Sequence, residues 1–301
     1  VVVINLTCIS LIGFAVGIII LLIKPGENET KASTGSPTDQ PAGLLTGSPT
    51  ATSSGLPSHQ PTELSAWKIT HTIYHRDQTP NAFYGQSVSF SQGGNILFVT
   101  SFLETSVYSL SDQSSQTTKY INGGGNGVSS SSDGKFFAVS NARYDAYKGR
   151  VQVYRHRSDD SWEQMGSSLF GPNTNELFGE DIAMSRDGHT LAVGTGGINA
   201  FNGNYVNVYK WNGADWVLRG DTITGAEGSL FGYAVSVTSD GNIIAIGAFI
   251  HEYVEIYKWG GSGWILRGKR LDIIRSTAAW FGNHLDISSD GTVLAIGAPK
   301  E

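Results

Sequence analysis

The sequence predicts an all-β fold, a β-propeller of four-stranded blades of about 50 residues, preceded by one transmembrane helix and a disordered linker. Three observations predict it. Glycine makes up 38 of the 301 residues and charged residues only 15%, against usual shares of roughly 7% and 25%, so turn formers outweigh helix formers. The first 23 residues carry no charge and the next forty are polar. From Ala66 to Glu301 an ordered set of short apolar runs recurs.

Val1 to Ile23, VVVINLTCISLIGFAVGIIILLI, is long enough at ~1.5 Å per residue to cross a hydrocarbon core of about 30 Å. A cleaved signal peptide has a shorter apolar core of roughly 7–15 residues and a basic flank, so a helical anchor contacting the lipid bilayer is expected over residues 1–23. Cys8, the single cysteine, lies within that span and excludes both an internal disulfide and a cysteine-based zinc site.

Residues 24–65 form the expected stalk. Pro25 to Leu64 holds 13 Ser or Thr, 6 Pro and 5 Gly, with TGSPT repeated at Thr34 and Thr46. Such a composition cannot bury enough apolar surface to offset its conformational entropy. Asn28-Glu29-Thr30 is a glycosylation sequon, and the Ser/Thr/Pro richness suits an O-glycosylated stalk. Both place the remainder of the chain on the extracellular or lumenal side as a single-pass glycoprotein. A net charge of −6 gives no electrostatic basis for a nucleic-acid partner.

The repeat region contains FGEDIAMSRDGHTLAVG from Phe178, FGYAVSVTSDGNIIAIGA from Phe231 and FGNHLDISSDGTVLAIGA from Phe281. NGVSSSSDGKFFAVS from Asn126 lacks the Phe, and YGQSVSFSQGGNILFVTS from Tyr84 lacks the Asp. Blades therefore start near 84, 126, 178, 231 and 281, with Gly85, Gly127, Gly179, Gly232 and Gly282 aligned. In the unit from Phe178, Ile182 to Met184 is a first strand and Asp187-Gly188 a hairpin turn, because Gly takes positive φ without a Cβ clash. Leu191 to Gly194 is a continuous apolar second strand, Tyr205 to Lys210 an alternating third, and Trp216 to Gly220 the fourth. The aromatic before each Gly is expected to fill the wedge between blades. Trp67-Lys68-Ile69 followed by Ile73 reads as a fourth strand that could close the ring with the C-terminal strands, giving five blades or part of a six- or seven-bladed ring.

Taken together, these motifs resemble the FG-GAP repeats, blades found in integrin α-subunit propellers, over residues 66–301. The resemblance implies a cell-surface propeller used for adhesion or recognition. Many such blades bind calcium through Asp-x-Asp-x-Asp-Gly, but the matching positions here are Ser129, Ser131, Asp133; Ala183, Ser185, Asp187; Ser236, Thr238, Asp240; and Asp286, Ser288, Asp290. That ion needs several carboxylates among six to eight oxygens, so the aspartates read as turn formers and no metal or cofactor is expected.

Enzyme signatures are missing as well. A glycoside-acting propeller is one alternative reading, yet Ser-x-Asp-Gly here lacks the Trp of sialidase-type turns, and equivalent turn aspartates do not converge on one sugar. A purely structural surface protein is another. The favoured expectation is a binding module for a protein or glycan, not an enzyme. Blade-to-blade variation falls in Ser140 to Gly149 and Thr195 to Asn204, which offer Arg143, Tyr144, Tyr147, Phe201 and Asn202 as contact residues. Trp162, Trp216 and Trp264 recur at one blade position and are expected to pack between strands.

Overall fold

A computed structural model describes residues 20–25, 67–73, 83–110, 116–122, 124–197, 204–272 and 280–299. The chain divides into two compact units, one comprising Ile20–Ile73 and the other the rest. In the smaller unit Ile20–Pro25 and Trp67–Ile73 pair antiparallel, with an irregularity between Leu22 and Ile23. Ile20 to Ile23, expected at the end of a helix, is therefore extended. Among the described residues no helix is long and apolar enough to cross a membrane; residues 1–19, and residues 26–65 of the stalk with Asn28, lie outside them, whereas Lys24 and Pro25, expected in the disordered stalk, belong to the strand. The Trp67 strand exists as expected, but its partner is Ile20–Pro25 rather than a third strand from the repeats.

The larger unit is propeller-like, built from repeated antiparallel sheets whose strands follow chain order. The first sheet comprises Val88–Phe90, Ile96–Thr100, Glu104–Ser109 and Gln116–Asn122. The second comprises Gly127–Ser130, Phe136–Asn141, Arg150–His156 and Trp162–Gln164. Phe178–Met184, Thr190–Thr195, Tyr205–Trp211 and Trp216–Leu218 form the third, and Phe231–Val237, Ile243–Ala248, Tyr253–Trp259 and Trp264–Leu266 the fourth. A hairpin of Leu285–Ile287 with Leu294–Ile296 begins a fifth.

The outer edge departs from the expected pattern. Leu169–Phe170, Ile223–Thr224 and Leu271–Asp272 each add a second short partner to the third strand of their sheet. The positive-φ glycines Gly166, Gly220 and Gly268 separate the two halves of each edge. Short two-residue runs carry too little periodicity to show in sequence.

Second strands are the most buried, as in Thr190–Thr195, where every residue is enclosed. Phe178 and Phe231 are fully buried in the clusters joining the second to the third and the third to the fourth sheets. Burying such a ring contributes about 1.5–3 kcal/mol. Gly194 lies against the next sheet so closely that a Cβ would stand 1.9 Å from Gly232 O.

Polar stitches repeat along the first strands. Ser87 Oγ accepts from Val128 N and Ser89 Oγ from Ser130 N, both at 3.1 Å. Ser129 Oγ accepts from Met184 N, Asp181 Oδ2 from Val235 N and Ser236 Oγ from Ile287 N, at 2.8–3.0 Å. At the hairpin tips the chain of main-chain bonds runs Gln92 N to Ser132 O, Ser132 N to Arg186 O, Arg186 N to Ser239 O, and Ser239 N to Ser289 O. This register corrects one alignment: Gly125, two residues before Gly127, occupies the aligned glycine position in the second sheet, and a Cβ there would meet Ser140 O at 1.8 Å. Neither Gly125 nor Gly127 has the positive φ of Gly85, Gly179, Gly232 and Gly282.

Candidate functional site

The connections between second and third strands all leave the same end of their sheets, where the next first strand also begins. Two are short, at Ser101–Leu103 and residues 249–252, and the connection at 142–149 is long. Within the long one, Tyr144–Tyr147 makes a single tight turn with Asp145, Ala146 and Tyr147 at φ of 48°, 53° and 61°. Left-handed backbone at a non-glycine residue costs roughly 1–2 kcal/mol, so the turn persists only because its surroundings over-determine it. Asn175 N donates to Ala146 O at 3.2 Å and Leu177 N to Tyr147 O at 2.9 Å, while Gly149 N closes back on Tyr144 O at 3.0 Å. Gly149 itself, at φ 89°, admits no Cβ, which would stand 2.1 Å from Phe178 O.

The segment that clamps this turn is fixed in its own right by a buried carboxylate. Glu176 accepts from Asn173 N and Nδ2 at 3.2 and 2.6 Å and from the Tyr205 hydroxyl at 3.0 Å. Burial, reinforced by the Glu176 charge, pushes the Tyr205 hydroxyl far above its ordinary pKa, so it stays a donor.

Three of the expected contact residues come together here. Tyr144 and Tyr147 are 38% and 41% exposed, which leaves each ring half available to a partner. The Arg150 guanidinium lies 4.3 Å from the Tyr144 ring centroid, and that of Arg143 lies 5.3 Å from the Phe102 ring, reaching from the second sheet to the first. Such cation–π contacts hold the rings in place. Phe201 and Asn202 lie outside the described residues.

Sequence reasoning missed the neighbours of Arg143. Glu180 and Asp181 follow the Phe178-Gly179 pair, and Tyr233 holds the Glu180 position one sheet on. Burial raises the Glu180 pKa, with Arg143 pulling it back. Burial also pushes Asp181 up to about 7, against the bonds it accepts from Val235 N and Ile182 N and with a further push from Glu180. Tyr233 is raised by burial and by both carboxyls. Its ring centroid lies 4.5 Å from that of Phe249, which in turn lies 6.0 Å from that of Trp280. The usable signal was position: these residues follow each aromatic-Gly pair or end a second strand.

The turn aspartates are exposed and bonded within their own turns. Asp133, Asp187, Asp240 and Asp290 each accept a hydroxyl proton through Oδ1 from Ser131, Ser185, Thr238 and Ser288 at 2.5–2.7 Å. The same oxygens accept main-chain N–H bonds from Lys135, His189, Asn242 and Thr292. Among the described residues no group of three or more His, Cys, Asp or Glu is placed to hold a metal ion. The recurring tryptophans are packing residues: Trp216 Nε1 donates to Met165 O and Trp264 Nε1 to Arg219 O, at 2.9 and 2.8 Å.

No protein-family model matches the chain, that of the FG-GAP repeats included, and no curated protein sequence matches it. Solved structures do. Hydrazine synthase of Kuenenia stuttgartiensis superposes with a TM-score of 0.55 at 17% identity, over 77% of this chain and 64% of that one. The periplasmic gluconolactonase PpgL of Pseudomonas aeruginosa gives 0.54 at 16%, over 77% and 68%. A protein from Lactobacillus plantarum gives 0.53 at 14%, over 77% and 67%. The chain thus spans less than two thirds of the length of the first of these. Likeness at such identity shows the propeller-like fold and leaves function to the site.

Proposed function

We propose that this chain is a recognition module that holds a protein or glycan partner on the face carrying Arg143, Tyr144 and Tyr147. One observation carries the reading: three consecutive non-glycine residues are kept in left-handed backbone by clamping bonds from Asn175 and Leu177. Strain maintained in an exposed turn is a mark of functional display, and Tyr and Arg are the residue types that most often anchor interfaces. The turn is pre-organised, so a partner does not have to order it on binding.

The uncharged run ahead of the Ile20–Pro25 strand and the sequon at Asn28 support a single-pass anchor with this module on the extracellular or lumenal side. A catalytic role has less support, because the conspicuous carboxyls of the repeats are occupied as turn acceptors.

The test is capture from a glycan array and an extracellular-protein library by the full chain, compared with Arg143→Ala/Tyr144→Ala. Both side chains are exposed and lose only their cation–π contacts, about 0.5–1 kcal/mol each at such sites, so the melting temperature is expected to fall by no more than a few degrees while capture weakens about tenfold or more. Capture unaltered by the double substitution refutes the assignment, and turnover of a glycoside that persists in that variant favours the enzyme reading instead.

A further inference from the structure

The opposite end of the sheets carries a cavity between the first and second sheets. Between the third and fourth sheets, and between the second and third, the fourth-strand tryptophan spends its indole N–H on a carbonyl of the preceding sheet's edge. The first sheet's fourth strand, Gln116–Asn122, lacks the Trp-x-x-x-Gly sequence that supplies that carbonyl. Trp162 accordingly packs edge-on against Phe98 and Phe137, with centroids 5.8 and 5.0 Å away. It makes no hydrogen bond among the described residues.

The result is a cavity of about 200 Å³ lined by Ile96, Val107, Ser109, Lys119, His156, Asp160 and Trp162. Its polar lining is dominated by donors. Lys119 donates through Nζ to the main-chain oxygen of Asp160, which engages one of the three ammonium protons. His156 Nε2 lies 2.8 Å from Asp160 Oδ1, so the one acidic side chain of the lining is engaged by the imidazole. The His156 ring also stands 4.9 Å from the Trp162 ring, between centroids. Ile96 and Val107 supply apolar wall. A cation is disfavoured by Lys119, and a polymer by the volume, which is below the roughly 300–1,000 Å³ of drug-sized sites.

We propose that this cavity binds a small organic anion, a carboxylate on a compact apolar body. The carboxylate takes the free protons of Lys119 and the Trp162 indole N–H as charge-assisted bonds, and the apolar body lies on Ile96, Val107 and the indole. The site is separate from the Arg143 face and does not depend on the recognition reading.

The test follows the seven tryptophan indole N–H signals of the full chain, labelled with ¹⁵N-tryptophan, during titration with 3-phenylpropionate, its neutral amide and 3-phenylpropylamine. Trp162→Phe identifies the Trp162 signal. The expected result is a saturable shift of that signal by the carboxylate at millimolar concentration, at least about tenfold weaker with the amide and absent with the amine. Lys119→Met, a partly exposed substitution that leaves the melt unchanged, is expected to weaken carboxylate binding about tenfold. Absence of a saturable Trp162 shift, equal affinity for carboxylate and amide, or undiminished binding by Lys119→Met would each overturn the proposal.

Discussion

Asp181 replaces a hydroxyl with a carboxyl at a stitch between sheets, and the consequence is measurable. In the first sheet the same position is Ser87, whose Oγ accepts from Val128 N; Asp181 Oδ2 accepts from Val235 N instead. Burial lifts its pKa from 3.8 to about 7. The folded state therefore holds a proton that the unfolded state releases between those values. The stability linked to this group is fully present below about pH 4 and is lost as pH rises through 7. The shift of roughly three pH units corresponds to at most about 4 kcal/mol, and because Asp181 keeps some contact with water about 2 kcal/mol is the better expectation. Asp181→Ser keeps an acceptor for Val235 N and removes the titration. Urea unfolding of the full chain at pH 3 and pH 8 is expected to show the variant about 2 kcal/mol more stable than the parent at pH 8, or about 4–8 °C in melting temperature, with the gain gone at pH 3, below the ordinary carboxyl pKa. Asp181→Ala is expected to gain less at pH 8, since an unsatisfied Val235 N–H costs about 1–3 kcal/mol. If Asp181→Ser and the parent keep the same stability difference at both pH values, the burial argument is wrong.

Two further outcomes follow from the packing between sheets. Gly194→Ala puts a Cβ 1.9 Å from Gly232 O, main chain against main chain, and should destabilise by about 2 kcal/mol or more in a urea melt, whereas Gly213→Ala, with open space around it, should cost less despite its positive φ. Trp216→Phe retains most of the ring but loses the bond to Met165 O, so a loss of about 1–2 kcal/mol is expected, and an unchanged melt would show that this bond contributes nothing.

The blade pattern was legible because each signal had a local cause. Asp-Gly marks a turn that needs positive φ, and Gly188 and Gly241 adopt 71° and 68° there. The aromatic-Gly pair marks a wedge, which Phe178 and Phe231 fill. Where a unit departs from the pattern, local reading fails: the second unit has Gly124-Gly125 in place of Phe-Gly, and the glycines that follow offered a false match at Gly127. The Ser-x-Asp-Gly turn fixes the register instead, because Ser131 and Asp133 bond each other as Ser185 and Asp187 do.

The candidate sites were legible only in part, for a related reason. Arg143, Tyr144 and Tyr147 stood out as an insertion between conserved spacings within the chain itself, but the clamp that makes the turn rigid lies about thirty residues further on, at Asn175 and Leu177. The Lys119–Trp162 cavity is a still less local feature. It arises from what the first sheet's fourth strand omits, and an omission acquires meaning only beside the Trp216 and Trp264 contacts that show what the repeat normally places there. In a repetitive fold the regular units define the packing rule, and sites of specific chemistry are to be sought where one unit breaks it: at Asp181 where Ser would serve, and at Trp162 where a carbonyl is lacking.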